Sequence, residues 1–238
     1  MTNIDSKLLI VIPAFNEELV LGKTLNELIK LIPVNQILVV SDGSTDKTSE
    51  IVKNLNINLL QLPFNLGVGA AMRAGFQFAL ENGFSKVIQF DADLQHQPKY
   101  INEISEKLDS FDVVVGSRFS KNNDYKVSFV RSIAMNLLKN SVSRHIGQNM
   151  TDVTSGFRGA NKKAIEIFSE FYPSEYLADT VESLILAHDK GLTISEIGVT
   201  MQERQGGKPS QNLLRSSFYL FRSILVIIAT LTIKPRKG

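Results

Sequence analysis

Short apolar runs alternate with amphipathic segments through the first half of the chain. Four of these runs are rich in β-branched or other large apolar residues, and each ends at a polar or turn-forming position: 8–12, 37–40, 87–90 and 113–115. They lack the alternation of polar and apolar positions, which is typical of parallel strands that are buried on both faces. We therefore predict that the four runs are strands of one central sheet.

Helical patterns occupy the stretches between these runs, at 17–31, 46–55, 67–82 and 98–108. The polar residues 44–46 precede one segment and Pro98 opens another, and both are common signals for the start of a helix. This order predicts an α/β fold, doubly wound around a mostly parallel central sheet. Because ligands bind beyond the carboxyl ends of the strands in such sheets, residues that follow the apolar runs are the candidates for function.

Polar clusters follow three of the apolar runs, at 13–18, 41–46 and 91–96. A single cluster of this kind is explained by helix capping. Three clusters at the ends of strands in one sheet are better explained by a shared binding site.

Asp91 and Asp93 are the most specific feature of these clusters. Because these residues are two positions apart, on extended backbone both carboxylates project to the same side. The two charges repel each other unless a cation lies between them. Mg²⁺ or Mn²⁺ is the expected ion, since Mg²⁺ commonly combines one or two carboxylates with substrate phosphates. Gln95 could supply a third oxygen, so the pattern predicts a metal site for a diphosphate-bearing substrate.

The glycine-rich stretch 67–72 does not match the dinucleotide-binding fingerprint. It lacks the third glycine and does not follow the first strand, which argues against a Rossmann dehydrogenase. Its small residues, with Ala74 and Gly75, instead predict a helix that closely approaches the sheet or a nucleotide.

The composition agrees with a globular protein of one large domain, or one domain with an appendage. The 238 residues are 43% hydrophobic and 21% charged, which argues against a disordered chain or a polytopic membrane protein. The chain has no cysteine, so disulfides and thiolate chemistry are excluded and a reducing compartment is expected. The first residues show no secretory signal, and we expect a cytoplasmic location.

The net charge of +2 conceals two basic regions. Residues 118–163 carry nine Lys or Arg against two Asp, and residues 201–238 carry seven against one Glu. The first region favours a phosphate-bearing acceptor, because arginine binds phosphate in a bidentate manner. The second suggests an anionic partner, for which nucleic acid, a membrane surface or a phosphorylated substrate would each fit, with a solvated tail as the alternative.

Residues 211–238 are predicted to form an amphipathic helix and a basic tail. Arg215 and Arg222 share a helical face, and 223–233 contains no charged residue. These eleven residues would rise about 16 Å as a helix, much less than the hydrocarbon core of roughly 30 Å. A helix on the membrane surface is therefore favoured over a spanning one, with packing on the sheet or a partner as the alternative.

Six motifs in this order resemble the motif series of family 2 glycosyltransferases, which have the GT-A fold. The chain looks most like the polyprenyl-phosphate hexose synthases, such as dolichyl-phosphate mannose synthase, over roughly residues 7–210, and the resemblance implies a glycosyltransferase domain of residues 1–210. The motifs lie at 11–18, 41–46, 65–69, 91–95, 115–119 and 151–158.

The resemblance implies a role for particular residues of this chain. On the donor side it implies a nucleotide pocket formed by Pro13, Phe15, Glu17, Asp42, Gly69 and Asp91, with Arg204 closing over the diphosphate. It also implies that Asp91, Asp93 and Gln95 hold the metal ion. On the acceptor side it implies that Arg118 and Arg131 bind a phosphate. Asp152 is the candidate base, and its alternative is a structural carboxylate that pairs with Arg158 or caps a helix.

The function implied is an inverting, metal-dependent hexosyltransferase. Its donor would be a nucleotide diphosphate sugar, UDP-glucose before GDP-mannose, and its acceptor polyprenyl (undecaprenyl) phosphate at the inner face of the cell membrane. A small membrane protein could anchor the enzyme, a homo-oligomer is compatible with the sequence, and no nucleic acid is expected as a partner. The alternatives are transfer to a saccharide hydroxyl in polysaccharide synthesis, and a non-catalytic nucleotide-binding subunit.

Overall fold

A seven-stranded sheet forms the centre of the molecule. The computed structural model describes residues 5–119, 129–173 and 179–202, with the side chains of 129–134 excepted. The strands lie in the order β3-β2-β1-β4-β6-β5-β7, and all neighbours are parallel except β6, which is antiparallel to β4 and β5. Their bounds are β1 Leu8–Ala14, β2 Ile37–Asp42, β3 Asn58–Leu62, β4 Lys86–Gln89, β5 Val113–Ser117, β6 Arg158–Asn161 and β7 Ile194–Gly198.

Helices cover both faces of this sheet. They are α1 Leu21–Leu28, α2 Thr48–Asn54, α3 Val68–Glu81, α4 Ile101–Lys107, α5 Phe129–Ile146, α6 Lys162–Phe171 and α7 Asp179–Asp189, with short 3₁₀ turns at Val34–Gln36 and Pro98–Tyr100. The predicted segment 17–31 is longer than α1, because residues 17–20 form a turn that belongs to the loop after β1.

The two faces of the sheet pack against separate hydrophobic layers. Along β1, Leu9 and Val11 contact the layer that includes α3, α5, α6 and α7, whereas Ile10 and Ile12 contact the layer that includes α1, α2 and α4. Both sets of side chains are fully buried. This two-sided burial explains why the apolar runs lack polar alternation, and it confirms the predicted doubly wound α/β fold.

Gly75 allows α3 to approach β1 closely. A Cβ atom at this position would lie 2.5 Å from Cγ1 of Val11, so a larger residue would have to push the helix away from the sheet. The small residues of α3 therefore serve contact with the sheet at this point, which is one of the two roles predicted for them.

Arg158 joins β6 to the beginning of α7. Its Nη1 donates hydrogen bonds to the Thr180 carbonyl and the Ser183 hydroxyl, both at 2.8 Å, and its Nε donates to the Ser155 carbonyl at 3.0 Å. Asp179, the first residue of α7, is buried beside this arginine. Burial raises the pKa of the Asp179 carboxyl to about 6, although Arg158 favours its charged form.

No helix within the described ranges combines the length and the apolar character that crossing a bilayer requires. The predicted helix and tail at 211–238 lie outside these ranges. The division of the chain at residue 210 therefore stays a prediction.

Asp179→Asn should change how stability depends on pH. The folded-state pKa of Asp179 is raised above its unfolded value of 3.8 to about 6, so the wild type loses stability as pH rises between these values. The variant carries no charge there and should gain up to about 3 kcal/mol relative to wild type at pH 7.5, at about 1.4 kcal/mol per pKa unit. Urea unfolding of both proteins at pH 3.5 and 7.5 measures this difference.

The gain in stability of Asp179→Asn should appear at pH 7.5 and not at pH 3.5. A loss of stability at pH 7.5 compared with wild type would show instead that the attraction between Asp179 and Arg158 outweighs the cost of burying the carboxylate.

Candidate active site

The carboxyl ends of β2, β1 and β4 lie side by side at one edge of the sheet. These strands are adjacent and parallel, so the loops that follow them meet at this edge. The polar clusters at 13–18, 41–46 and 91–96 are thus brought together, as the sequence predicted.

Reciprocal hydrogen bonds fasten the loop after β1 to the loop after β2. Asn16 donates from its backbone to the Ser44 hydroxyl at 3.1 Å, and its side-chain oxygen accepts from the Thr45 backbone at 2.8 Å. Glu18 donates from its backbone to Asp46 at 3.1 Å. Burial favours the protonated acid at Asp46, but hydrogen bonds from Thr48 and Glu18 outweigh it and lower the pKa of this carboxyl.

These contacts hold the backbone of the segment after β1, which carries three residues that are predicted to bind the nucleotide. Pro13 is half-buried at the end of β1, Phe15 has 42% of its surface exposed, and Glu17 donates from its backbone to the Thr48 hydroxyl at 2.9 Å. The ring of Phe15 is therefore accessible at the edge of the sheet, where a flat ligand group could stack on it.

Asp42 anchors the loop that leads into α3. Its two carboxylate oxygens accept hydrogen bonds from the backbone of Leu66 at 2.7 Å and of Gly67 at 2.8 Å. Gly69 is buried in the first turn of that helix. The predicted contact of Asp42 with a base or ribose stays a prediction, since the role visible here is to hold the loop.

Gly43 allows the loop after β2 to lie close to the backbone of the segment that leads into α3. Its φ is +69°, and a Cβ atom would lie 2.5 Å from backbone atoms of Phe64 and Asn65. Only glycine combines this backbone conformation with so little space.

Asp91 and Asp93 occupy the loop after β4. Asp93 is buried and accepts a hydrogen bond from the Gln95 backbone at 3.1 Å, while the Asp91 side chain is 36% exposed. Gly156 covers Asp91 closely, because a Cβ atom there would lie 3.5 Å from both carboxylate oxygens and 3.1 Å from the Gln89 amide nitrogen. Within the described part of the chain, the buried Gln89 side-chain oxygen has no hydrogen-bond partner.

The potential metal ligands in this loop suit a hard divalent ion. Asp91, Asp93 and Gln95 offer two carboxylates and one amide oxygen, which are the ligand types that Mg²⁺ and Mn²⁺ prefer. The orphaned oxygen of Gln89 adds a further polar group nearby.

His96 fixes the orientation of Asp91, a role that the sequence analysis did not assign. Its Nδ1 accepts a hydrogen bond from the Asp91 backbone at 2.9 Å, and its Nε2 lies 3.2 Å from an Asp91 carboxylate oxygen. The ring stacks on Phe157 at 4.5 Å between centroids and meets the edge of Phe90. Because Nδ1 accepts, the proton of the neutral ring is on Nε2, which donates to the carboxylate.

Burial lowers the pKa of His96, although the Asp91 and Asp93 carboxylates raise it. The neutral ring described by these hydrogen bonds is therefore the form at neutral pH. The position of His96 at the end of the polar cluster 91–96 was the available signal for its role.

Arg118 and Asp152 form a bidentate pair on the other side of the site. Arg118 donates from Nε to one carboxylate oxygen at 2.6 Å and from Nη2 to the other at 2.8 Å, and Nη2 also donates to the Thr154 hydroxyl at 2.7 Å. Asp152 is buried. The expectation that a structural Asp152 pairs with Arg158 is wrong, because Arg158 is directed to α7 instead.

Glu196 on β7 holds the segment that carries Asp152. Its carboxylate accepts hydrogen bonds from the Thr151 backbone at 2.8 Å, the Thr151 hydroxyl at 2.9 Å and the Asp152 backbone at 2.9 Å. Sequence reasoning missed Glu196, since a single acidic residue in a short strand carries no pattern of its own.

A cavity of about 190 Å³ opens next to the Arg118–Asp152 pair. Its wall combines apolar side chains with a lysine and several hydrogen-bonding groups. The lining residues are Phe119, Met135, Asn136, Lys139, Thr151, Asp152, Val153 and Thr154.

Two predicted site residues cannot be placed in this geometry. The backbone of Arg131 belongs to α5, but its side chain, like all of Arg204, lies outside the described residues. Their roles toward the acceptor phosphate and the donor diphosphate stay predictions.

Two relatives and a solved structure are similar to this chain. It is 27% identical to polyprenol monophosphomannose synthase of Mycolicibacterium smegmatis, covering 89% of this chain and 84% of that one. It is 29% identical to UDP-N-acetylglucosamine–dolichyl-phosphate N-acetylglucosaminyltransferase of Methanococcus voltae, covering 82% and 85%. Glucosyl-3-phosphoglycerate synthase of Mycobacterium tuberculosis, solved with Mn²⁺, UDP-glucose and phosphoglyceric acid, shares the fold with a TM-score of 0.72 at 18% identity, covering 97% and 81%.

The family model described as "Glycosyl transferase family 2" matches residues 9–168. This range contains the loops of β1, β2 and β4 and the Arg118–Asp152 pair. The chain therefore belongs to glycosyltransferase family 2, and it is a glycosyltransferase with the GT-A fold.

Proposed function

We propose that the enzyme transfers a hexose from a nucleotide diphosphate sugar to a polyprenyl phosphate in a single inverting displacement. The observation that carries this proposal is the cavity beside the Arg118–Asp152 pair. Its Lys139 suits a phosphate group, while Phe119, Met135 and Val153 suit a hydrocarbon chain. An acceptor with a charged head and an apolar tail matches this mixture better than a saccharide does.

The relatives support the acceptor more than the donor. The two relatives described above are named for a polyprenol or dolichyl phosphate acceptor, but for different sugars, mannose and N-acetylglucosamine. UDP-glucose remains our first candidate for the donor, followed by GDP-mannose. The basic regions of the sequence favour reaction at the inner face of the cell membrane, and an anchoring protein and a homo-oligomer stay predictions.

The acceptor needs little chemical activation in this proposal. A phosphate monoester with a second pKa of about 6 is mostly a dianion at neutral pH and can attack the anomeric carbon directly. The protein then has to align acceptor and donor and stabilise the departing diphosphate. A divalent ion held by Asp91, Asp93 and Gln95 would supply charge neutralisation at that diphosphate.

Asp152 orients Arg118 in this mechanism and does not need to take a proton. Both of its carboxylate oxygens already accept hydrogen bonds from the guanidinium. Glu196 in turn fixes the backbone of Asp152. The result is a guanidinium that is fixed in place beside the acceptor cavity.

The proposal is tested by a screen of donors against acceptors. The three donors are UDP-glucose, GDP-mannose and UDP-N-acetylglucosamine. Each donor is incubated with Mn²⁺ and one of three acceptors, which are undecaprenyl phosphate, the unphosphorylated polyprenol and an oligosaccharide. We expect one donor to react, only with the lipid phosphate, and to give the inverted anomer by NMR. Transfer to the oligosaccharide alone would contradict the proposed acceptor, and no transfer from any donor would favour a non-catalytic subunit.

Asp152→Asn distinguishes an orienting carboxylate from a general base. The Asn side chain retains one acceptor oxygen but presents an amide to the second guanidinium donor, so Arg118 should lose its orientation. We expect KM for the lipid phosphate to rise about tenfold, or about 1.4 kcal/mol, with little change in KM for the donor. A fall in kcat of about 10²-fold or more with unchanged KM would indicate a base.

His96→Phe should weaken metal binding while keeping the ring between Phe90 and Phe157. The variant loses both hydrogen bonds to Asp91, and loss of such a supporting contact typically costs about 10- to 100-fold in metal affinity. Titration of Mn²⁺ in the presence of UDP, followed by EPR of the unbound ion, measures this without turnover.

His96→Asn is the matched control, because its amide oxygen can replace Nδ1 as acceptor for the Asp91 backbone. It should recover part of the affinity. Equal Mn²⁺ affinity in wild type and His96→Phe would contradict the orienting role.

A further inference from the structure

Two of the three histidines of the chain lie together, at the ends of two helices. His145 is in the last turn of α5, and His188 is followed by Asp189 in the last turn of α7. The two imidazole rings are 5.4 Å apart between centroids, with 70° between their planes, and His145 Nε2 lies 2.8 Å from an Asp189 carboxylate oxygen. One ligand atom from each of the three residues falls within 4.8 Å of the others.

The electrostatic surroundings of this cluster favour a cation. Both helices direct their carboxyl-terminal ends toward it, and these ends carry partial negative charge. Asp189 adds a full negative charge. The neighbouring Lys190 places its ammonium over the ring of Phe171 at 5.0 Å, so it does not occupy the cluster as a counterion.

We propose that His145, His188 and Asp189 form a second metal site, which binds a borderline transition ion such as Zn²⁺. Two imidazole nitrogens and one carboxylate oxygen are a donor set that Zn²⁺ takes, at about 2.0–2.2 Å from the ion. Ligands at that distance lie roughly 3–4 Å apart, so rotation of these partly exposed side chains is enough to close the site. A water molecule completes the coordination.

The ligand chemistry separates this site from the one at Asp91 and Asp93. The loop after β4 offers only oxygen ligands, which suit Mg²⁺ and Mn²⁺, whereas imidazole nitrogen favours Zn²⁺, Cu²⁺ and Ni²⁺. The two sites should therefore select different ions from a mixture.

An ion at this position would connect α5 to α7. The middle of α5 supplies Met135, Asn136 and Lys139 to the wall of the acceptor cavity. The opposite end of α7 receives the hydrogen bonds of Arg158 through Thr180 and Ser183. The site therefore has a structural role, since it fixes the helix that carries one wall of the cavity to a helix that is itself bound to the sheet.

The composition of the chain makes the site easy to test. It has no cysteine and only one further histidine, His96, which is buried. The full chain is titrated with Zn²⁺ by calorimetry and followed by thermal unfolding. We expect Zn²⁺ to bind and to raise Tm at concentrations at which Mg²⁺ has no effect.

His188→Ala should lower the Zn²⁺ affinity at least tenfold, because loss of even a supporting contact to a ligand costs about that much. The substitution leaves the hydrogen bond between His145 and Asp189 in place, so the stability of the variant without metal should change little. Arg144→Ala is the matched control, since it removes a cation from the same turn of α5 without removing a ligand, and it should retain Zn²⁺ binding. Glycosyl transfer with Mn²⁺ should be unchanged in His188→Ala.

Cu²⁺ serves as a spectroscopic probe of the same ligands. Its EPR spectrum should show nitrogen coupling from two imidazoles in wild type and from one in His188→Ala. A Zn²⁺ effect that is the same in wild type and His188→Ala would overturn the proposal and assign the ion to the oxygen ligands of the catalytic loop. Absence of Zn²⁺ and Cu²⁺ binding would overturn it as well.

Discussion

The parallel pairing of β1 with β2 on one side and β4 on the other is the constraint on which the site depends. Strand β1 is buried on both faces and hydrogen-bonded along both edges, so its position is fixed by the hydrophobic core. The three strands then deliver their following loops to one edge. The residues proposed to bind nucleotide and metal need only short loops to reach each other, because the sheet has already brought the loops that carry them to one edge.

Hydrogen bonds from neighbouring polar side chains support the candidate residues in both halves of the site. His96 holds Asp91 through two contacts, and Glu196 holds the backbone of Asp152, which holds Arg118. His96 and Asp152 lie one step, and Glu196 two steps, away from the residue that would meet a ligand. Such support fixes side-chain orientation before a substrate arrives, which reduces the entropy that binding must offset.

The sequence predicted the parts of the fold whose signal is continuous along the chain. The runs 8–12, 37–40, 87–90 and 113–115 are apolar because both sheet faces are buried, and they became β1, β2, β4 and β5. By contrast, β3 is only partly buried and β6 begins with an arginine, so neither shows an apolar run. The Arg118–Asp152 pair and the role of Glu196 depend on contacts between residues more than thirty positions apart, and no local pattern encodes such contacts.

The reversed direction of β6 has a consequence for how this fold can diversify. Because β6 is antiparallel to β5, the segment 118–157 leaves the sheet and returns to it at the same edge. Its length is therefore not tied to the span of the sheet, and it can be extended, shortened or exchanged without moving β1, β2 or β4. Gly159 allows α4 to pack closely on the returning strand, since a Cβ atom there would lie 2.6 Å from Ile104. In the proposed function this segment carries the acceptor side, but its last two residues, Gly156 and Phe157, contact Asp91 and His96. Acceptor specificity could therefore be changed by grafting within 118–155 while Gly156 and Phe157 are retained.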